Sequence, residues 1–593
     1  MQTHLEQIKK RDGRIVPYDP ARIAAAIAKA TQAVQGGGTP LADALAERVA
    51  VMVERQSDSG LASVEQIQDA IETVLIEAGL PRAAKAFILY RARRSRIREG
   101  KSELMLTVDE VLAGDDPTTA SPASKLWAVG AAASREYYLK RMLPEEEAVA
   151  HMRGEIHVSD LESYAKAPHS LLLPLEPLLA PRRREVGAHD PHAVMLPLLA
   201  ALQAASHELS GSLALDPFDR LLGPWLAGAD DASLRAAVAA FMQALAMPTW
   251  RVDAPLPLTL AFGDDPDPAA RRVALALLDA APIAGTLGAE LVMRLRPGVN
   301  LDAGDPNHDL FQAALALAAR GGALRFAFGD EPILGGGTRL AGDRFSAPAT
   351  GRGVVASVAV NLPRIALLAR RDHQAFDSQL TQVLDLAGRH LAYRMHVLAQ
   401  LRARDLPQLM LGGLYAGAGD LAPTDPLGFA LRHGQLNVAF VGLAEALTLM
   451  EGEHHGEASA SQQRGLAMVR LMRDQVEAMA ERHDLNMVLS GQAAPEAASR
   501  FALLDRRDFG SLPGVTDRAA YSASFLLPVD FPTSPERRIA READYHRLCP
   551  GGNGLLWGGD SQDAAALEGL IRRMHSEGAG LLGFGPAPVA AEA

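Results

Sequence analysis

The chain has 593 residues, 48% apolar and only 5% aromatic, with a net charge of −12. At roughly 100–200 residues per domain, that length predicts more than one domain, and the negative balance argues against general attraction to nucleic acid. No apolar run reaches membrane-spanning length and the start, MQTHLEQIKKRDG, carries no apolar leader stretch, so a cytoplasmic protein is expected.

The first elements are short. IKKRDGRIV, residues 8–16, places Asp12-Gly13 between two apolar-alternating pieces, which predicts a small β-hairpin. Asp19 is set to cap a helix that opens at Pro20. That helix, ARIAAAIAKATQAV, puts Ile23, Ile27 and Ala30 on one face. LADALAERVAVMVERQ and SVEQIQDAIETVLIEAG predict two more helices, the second with a Ser63/Gln66 capping box. AAKAFILYRARRSRIRE is an apolar helix that turns strongly basic. A solvated basic face explains such charges, and so does a polyanion site.

The blocks KKRDGRIVPYDPARI, VEQIQDAIETVL and AFILYRARRSRIR, in that order, resemble an ATP-cone, a helical bundle capped by a β-hairpin that binds ATP or dATP and regulates ribonucleotide reductases. The resemblance implies a regulatory domain over residues 1–98. It places nucleotide contacts at Lys10, Arg11, Asp12, Gly13, Arg22, Lys29 and Arg91, with Mg expected beside the phosphates. Residues 99–122 are polar and rich in turn formers and read as a linker.

From 123 to 593 short strands alternate with helices, which predicts an α/β architecture around a barrel or sheet. VVASVAVNL, residues 354–362, reads as a buried strand, and LTQVLDLAGRHLAYRMHVLAQLRAR as a long amphipathic helix. His454-His455 invites a metal reading, but adjacent histidines do not share a face, and a solvated loop is expected there.

Several blocks in order resemble the anaerobic (class III) ribonucleotide reductases: YYLKRMLPEEEAVAHMRGEIHVSDLE, VAVNLPRIALLARRDHQAF, FVGLAEALTLMEG, APEAASRFALLDRRDFG, YSASFLLPVDFPTSPERRIAREADYHRL and PGGNGLLWGGD. The resemblance implies a ten-stranded α/β barrel. Family chemistry requires a cysteine at the barrel centre, a second cysteine early in the barrel, a four-cysteine zinc site and a C-terminal glycyl-radical loop. In EPILGGGTRL, residues 331–340, the resemblance puts Gly336 at the thiyl cysteine and Gly337 at its neighbouring arginine. His169 or Ser170 falls at the second cysteine. Cys549 is the one cysteine present and reads as a small buried residue, which leaves no thiols for zinc. Gly583 and Gly585 lack the radical-loop context and read as turn or tail glycines.

The expectation is therefore a catalytically degenerate homologue, without zinc or glycyl radical, that senses ATP or dATP and acts as a regulator or scaffold. A homo-oligomer through the cone or barrel is compatible with it. Two alternatives stand beside it. One is an active reductase completed in trans. The other is a barrel enzyme using acid–base groups among His157, Asp160, Asp425, Glu445, Asp505 and His546, although the resemblance makes His157 and Asp160 structural and sets Glu445 in a loop near substrate. The triple glycine could also gather N–H groups around phosphate, but it lacks the Lys-Ser/Thr ending of a P-loop and reads as a flexible loop that lost its reactive residue.

Overall fold

The computed structural model describes residues 7–9, 15–32, 39–56, 61–114, 120–179, 190–249, 254–281, 288–557 and 563–584. It separates into two compact units, Met1–Ala113 and Gly114–Ala593.

In the first unit, β1 (Gln7–Lys9) pairs antiparallel with β2 (Ile15–Pro17), as the Asp12-Gly13 turn signal predicts. Four helices follow: α1 (Pro20–Gln32), α2 (Thr39–Gln56), α3 (Val64–Glu77) and α4 (Pro81–Ala113). A third strand, β3 (Leu61–Ser63), lies parallel to β1. Ile23, Ile27, Val49, Ile71, Val74 and Phe87 fill the core between the helices. Asp19 Oδ1 accepts the Ala21 N–H at 3.1 Å, so the helix opens where Asp19-Pro20 predicts. The capping box is complete: Gln66 N–H donates to Ser63 Oγ at 3.2 Å, and Ser63 N–H donates to Gln66 Oε1 at 2.8 Å. Ser63→Ala is expected to cost about 1 kcal/mol, read as a lowered melting temperature. α4 continues to Ala113, so the first part of the segment expected as a linker at 99–122 is helical. Its turn-forming composition was outweighed by a run, KSELMLTVDEVLA, of mostly good helix formers.

The second unit is a barrel of two five-stranded halves. β4 (Ile156–Val158) lies outside them. The first half comprises β5 (Leu171–Leu172), β6 (Leu213–Leu215), β7 (Leu258–Phe262), β8 (Glu290–Arg294) and β9 (Leu324–Ala327), each parallel to the next. The second comprises β10 (Val354–Asn361), β11 (Gln435–Val441), β12 (Asn486–Ser490), β13 (Leu555–Trp557) and β14 (Leu581–Phe584). β10, β11 and β12 are mutually parallel, as are β13 and β14. β14 meets β9 antiparallel, and β4 adds antiparallel to the far end of β10.

Backbone hydrogen bonds close the remaining seams. Ser170 N–H donates to Val354 O and Leu172 N–H to Arg352 O, which joins β5 to β10. Gly551 N–H donates to Leu489 O and Gly491 N–H to Gly552 O, which bridges β12 toward β13. Parallel strands covered on both faces need continuous apolar sequence, and all eight residues of β10 and all seven of β11 are buried. Among the described residues no helix is long and apolar enough to cross a membrane.

Candidate functional site

The connection from β9 to β10 carries the glycines into the barrel. It is held there by side chains reaching in from the first half. Arg294 on β8 forms a two-pronged pair with Asp216, at 2.8 Å from Nε and 2.7 Å from Nη2, both groups buried. Arg294 also donates to the carbonyls of Gly329 and Glu331, each at 2.7 Å. Asp216 in turn accepts the Ile333 N–H at 2.8 Å. On the far side of the loop, Arg339 donates to Glu331, Phe328 O and Gly580 O. Gln435 of β11 donates to Arg339 O and accepts from Ala341 N–H. The expected flexible loop is therefore a fixed one, because buried arginines satisfy its carbonyls.

Gly336 and Gly337 take φ of +72° and +95°, which side chains disfavour. Gly336 lines a cavity of about 880 Å³ in the barrel lumen. Its N–H donates to Glu290 Oε2 at 3.0 Å. That contact speaks against the alternative of a phosphate cradle, since the Gly336 N–H already faces a carboxylate. Glu290 also accepts from Thr259 at 3.0 Å and pairs with Arg325 at 2.8 Å.

Across the lumen stands His169. Its Nδ1 lies 2.9 Å from Asp160 Oδ2, and its side chain is about one third exposed (35%). Burial opposes protonation of this imidazole, yet the Asp160 charge and hydrogen bond outweigh it and raise the pKa. Asp160 is pushed the other way: burial works against its charge, but His169 and the buried Arg394 hold the carboxyl well below its usual range. Of the two positions expected for the second cysteine, His169 faces the lumen. Ser170 Oγ instead accepts the Val354 N–H at 3.2 Å in the sheet seam.

The acid–base candidates do not assemble. Asp160 alone among the six lines the lumen. His157 is buried beside it, with Nε2 at 3.5 Å from Glu496, whose carboxylate does line the cavity. Glu445 is buried in the first turn of the helix Leu443–Glu451 and accepts from Ser522 N–H and Oγ, so it acts as a brace rather than a group of the lumen. Burial raises its pKa. Asp505 is enclosed by Arg364, Asn361 and Tyr521. Burial lowers His546 to about 3. Asp425 shapes a loop by accepting from Ala422 N–H.

Other expectations shift as well. His454 and His455 are buried, with His455 Nε2 at 2.8 Å from Phe525 O; packing under Phe531 and Tyr545 replaces the expected solvated loop. Gly583 is a strand residue of β14 opposite Arg325, not a turn or tail glycine. Gly585 lies outside the described residues. Cys549 is buried in the main core, away from the residues lining the lumen, and burial pushes its thiol far above the ordinary value.

In the first unit, Lys10, Arg11, Asp12 and Gly13 lie outside the described residues. Arg22 is exposed in the first turn of α1, 3.3 Å from Asp19. Lys29 follows seven residues later, hence on the same helical face. Arg91 is engaged by Asp69 (2.5 Å) and Glu72 (2.9 Å) of α3, which raise its pKa.

The polar lumen residues that sequence reasoning missed include Thr259, Glu290, Arg325, Ser357, Asn437, Gln492 and Glu496. A signal for most of them exists. Thr259, Glu290, Arg325, Ser357 and Asn437 are polar residues within mostly apolar strands, and register pairs Thr259 with Glu290 and Ser357 with Asn437.

A family model described as anaerobic ribonucleoside-triphosphate reductase matches residues 118–587, and an ATP cone domain model matches residues 6–96. The anaerobic ribonucleoside-triphosphate reductase of Escherichia coli strain K12 is 26% identical over 613 residues, covering 92% of this chain and 84% of that protein. The vitamin B12-dependent ribonucleoside-diphosphate reductase of Mycobacterium tuberculosis strain H37Rv is 40% identical over 98 residues, 16% of this chain and 13% of its own. The crystal structure of the Thermotoga maritima anaerobic ribonucleotide reductase with dATP bound in the specificity site shares the fold at a TM-score of 0.65 and 15% identity, over 82% of this chain and 91% of that one. The chain thus belongs to the anaerobic ribonucleoside-triphosphate reductase family and carries an ATP-cone at its N-terminal end.

Proposed function

We propose that this protein is a catalytically silent member of its family that binds ATP or dATP through the cone and works as a nucleotide-responsive regulator or scaffold. The observation that carries the reading is Gly336, on the lumen wall where the family resemblance expects the thiyl cysteine. Hydrogen abstraction from a ribose carbon needs a thiol there, and no neighbouring hydroxyl or amide substitutes for its weak S–H bond. The described lining of the lumen contains no sulfur, and Cys549 is packed elsewhere.

Nucleotide binding is supported by the cone match and by Arg22 and Lys29, two cations along one face of α1. The family resemblance adds Lys10 and Arg11 to these cations, and Mg bound to the nucleotide would share the phosphate charge. The Thermotoga maritima protein has been crystallised with dATP in its specificity site and with dATP and CTP, which makes these nucleotides the natural probes.

The test pairs two measurements. Calorimetric titration of ATP and dATP is expected to give saturable binding to the wild type. Binding should weaken by at least about tenfold in Lys10→Ala/Arg11→Ala, since a charge-assisted contact contributes about 1.5–3 kcal/mol. Anoxic incubation with ribonucleoside triphosphates and an activating partner is expected to yield no deoxynucleotide. Absence of nucleotide binding, or deoxynucleotide formation, would each overturn the proposal.

A further inference from the structure

The buried arginines of the second unit are held by oxygen. Arg294, Arg339, Arg364 and Arg394 each donate to carbonyls or carboxylates. Arg432 is different. It lies between the short helix Gly428–Leu431 and β11, and its side chain makes no hydrogen bond or ion pair among the described residues. Its Cζ lies over the Phe345 ring at 4.7 Å and over the Phe429 ring at 4.6 Å, and its Nε is buried without a partner. Phenyl faces attract the charge, but they offer no acceptor to the N–H groups.

A buried network builds this arrangement. His433 Nδ1 lies 2.9 Å from Asp343 Oδ2, and the imidazole meets both phenyl rings edge to face, at 5.9 and 6.4 Å. Asp343 is fixed in turn by the Asn486 amide and the Ala347 N–H, each at 2.7 Å. Asn486 also donates to the Arg432 carbonyl at 3.1 Å and accepts the Arg344 N–H at 2.9 Å. The loop before β10, the turn before β11 and the start of β12 are thereby locked around the guanidinium. Phe429 stands 60% exposed, and none of Phe345, Phe429 and Arg432 lines the lumen. Small molecules bind in concave sites, whereas a ring that far into solvent suits a partner's surface.

We propose that Phe345, Phe429 and Arg432 form a docking point for a separate protein, which presents an aspartate or glutamate side chain with an apolar residue beside it. The guanidinium is a planar fork of donors, and a carboxylate is the acceptor that meets it with two prongs. A phosphate group, at about −1.5 to −2 charges, asks for more than one cation. The neighbouring Arg344 already lies 4.0 Å from Asp484, so Arg432 is the uncommitted cation of this cluster. The apolar neighbour of the acid would pack on the exposed Phe429 ring, since arginines and aromatic rings are the usual anchors of protein interfaces. This assignment is independent of nucleotide binding at the cone and of turnover in the lumen.

The test uses the full chain and phenylglyoxal modification of Arg432, followed at its peptide by mass spectrometry, with the exposed Arg370 as the internal control. The peptide acetyl-Leu-Glu-Leu-amide is expected to slow modification of Arg432 several-fold, with saturation, and to leave Arg370 unchanged. Its glutamine analogue and inorganic phosphate are expected to have no effect. Phe429→Ala should lose the protection. Protection by the glutamine analogue would overturn the carboxylate, and protection by phosphate would overturn the acidic segment in favour of a phosphate site. No protection by any of the three would overturn the docking point. Protection that grows with protein concentration alone, together with a dimer in analytical ultracentrifugation that Arg432→Ala abolishes, would make the occupant a second copy and overturn the separate partner. Should Phe429→Ala not fold, the comparison of the two peptides and phosphate on the wild type decides.

Discussion

Asp216→Ala is expected to lower the unfolding free energy by about 3–5 kcal/mol, the usual cost of leaving one member of a buried ion pair without the other. The size follows from what the carboxylate does. Both its oxygens face the Arg294 guanidinium, and one also holds the Ile333 N–H. Its removal strands a cation that is 5% exposed at the barrel wall. Arg294 keeps only the carbonyls of Gly329 and Glu331, which lie on the loop that Asp216 no longer anchors. Two readouts check this. Denaturant unfolding should show the lost stability, and hydrogen exchange at the Ile333 amide should rise more than exchange in β10. Asp216→Asn, which keeps shape and an acceptor, should fall between the wild type and alanine. An alanine variant within about 0.5 kcal/mol of wild type, the range of most surface changes, would refute the anchoring role.

The second large effect is expected from Asp505→Ala, at about 3 kcal/mol. Asp505 is fully buried and collects Arg364 (2.6 Å), Asn361 (2.9 Å) and Tyr521 (2.9 Å). These partners come from three separate segments: the end of β10, the helix that follows it, and the loop after the helix Pro495–Phe509. The value sits at the low end because Arg364 keeps Asp508 at 2.7 Å. Tyr521→Phe removes only one donor and should cost about 1 kcal/mol. In a double-mutant cycle the Asp505 and Tyr521 changes should be non-additive, because the same carboxylate oxygen serves Asn361 and Tyr521. Strict additivity would show that the network does not act as a unit.

Local sequence signals read the first unit well, because its elements are specified by neighbours in the chain. Asp19-Pro20 and Ser63/Gln66 set helix starts with partners within three residues, and periodicity placed Ile23, Ile27 and Ala30 in the core. The end of α4 was misjudged for the opposite reason: polar composition alone does not stop a helix. In the barrel, the ordered blocks implied the architecture, and VVASVAVN declared itself as a buried strand. The lumen was less legible because its members are assembled by sheet register rather than by spacing. Glu290 and Thr259 lie on neighbouring strands separated by a helix, and nothing local ties Glu290 to Gly336. Acidic and imidazole residues drew attention by type, yet Asp505, Glu445 and His546 turned out to serve packing and bracing. A better guide was the polar residue inside an apolar strand, which must face an interior that tolerates it.

The glycine loop also bears on what can be installed in it. A glycine accepts a side chain easily only where its backbone conformation suits one. Here the backbone at position 336 has settled at φ +72°, where an L side chain costs about 1–2 kcal/mol. A Cβ at 336 would also stand 3.2 Å from the Gln492 amide nitrogen. At 337 the barrier is harder, because a Cβ would meet Leu581 at 2.9 Å and the Gly554 backbone at 3.0 Å. A side chain at 336 is therefore expected to carry that backbone cost, with the Gln492 side chain the neighbour that must give way. At 337 the loop itself would have to shift, since part of what a Cβ meets there is backbone, so of the two positions 336 is the one at which an engineered side chain can be tried.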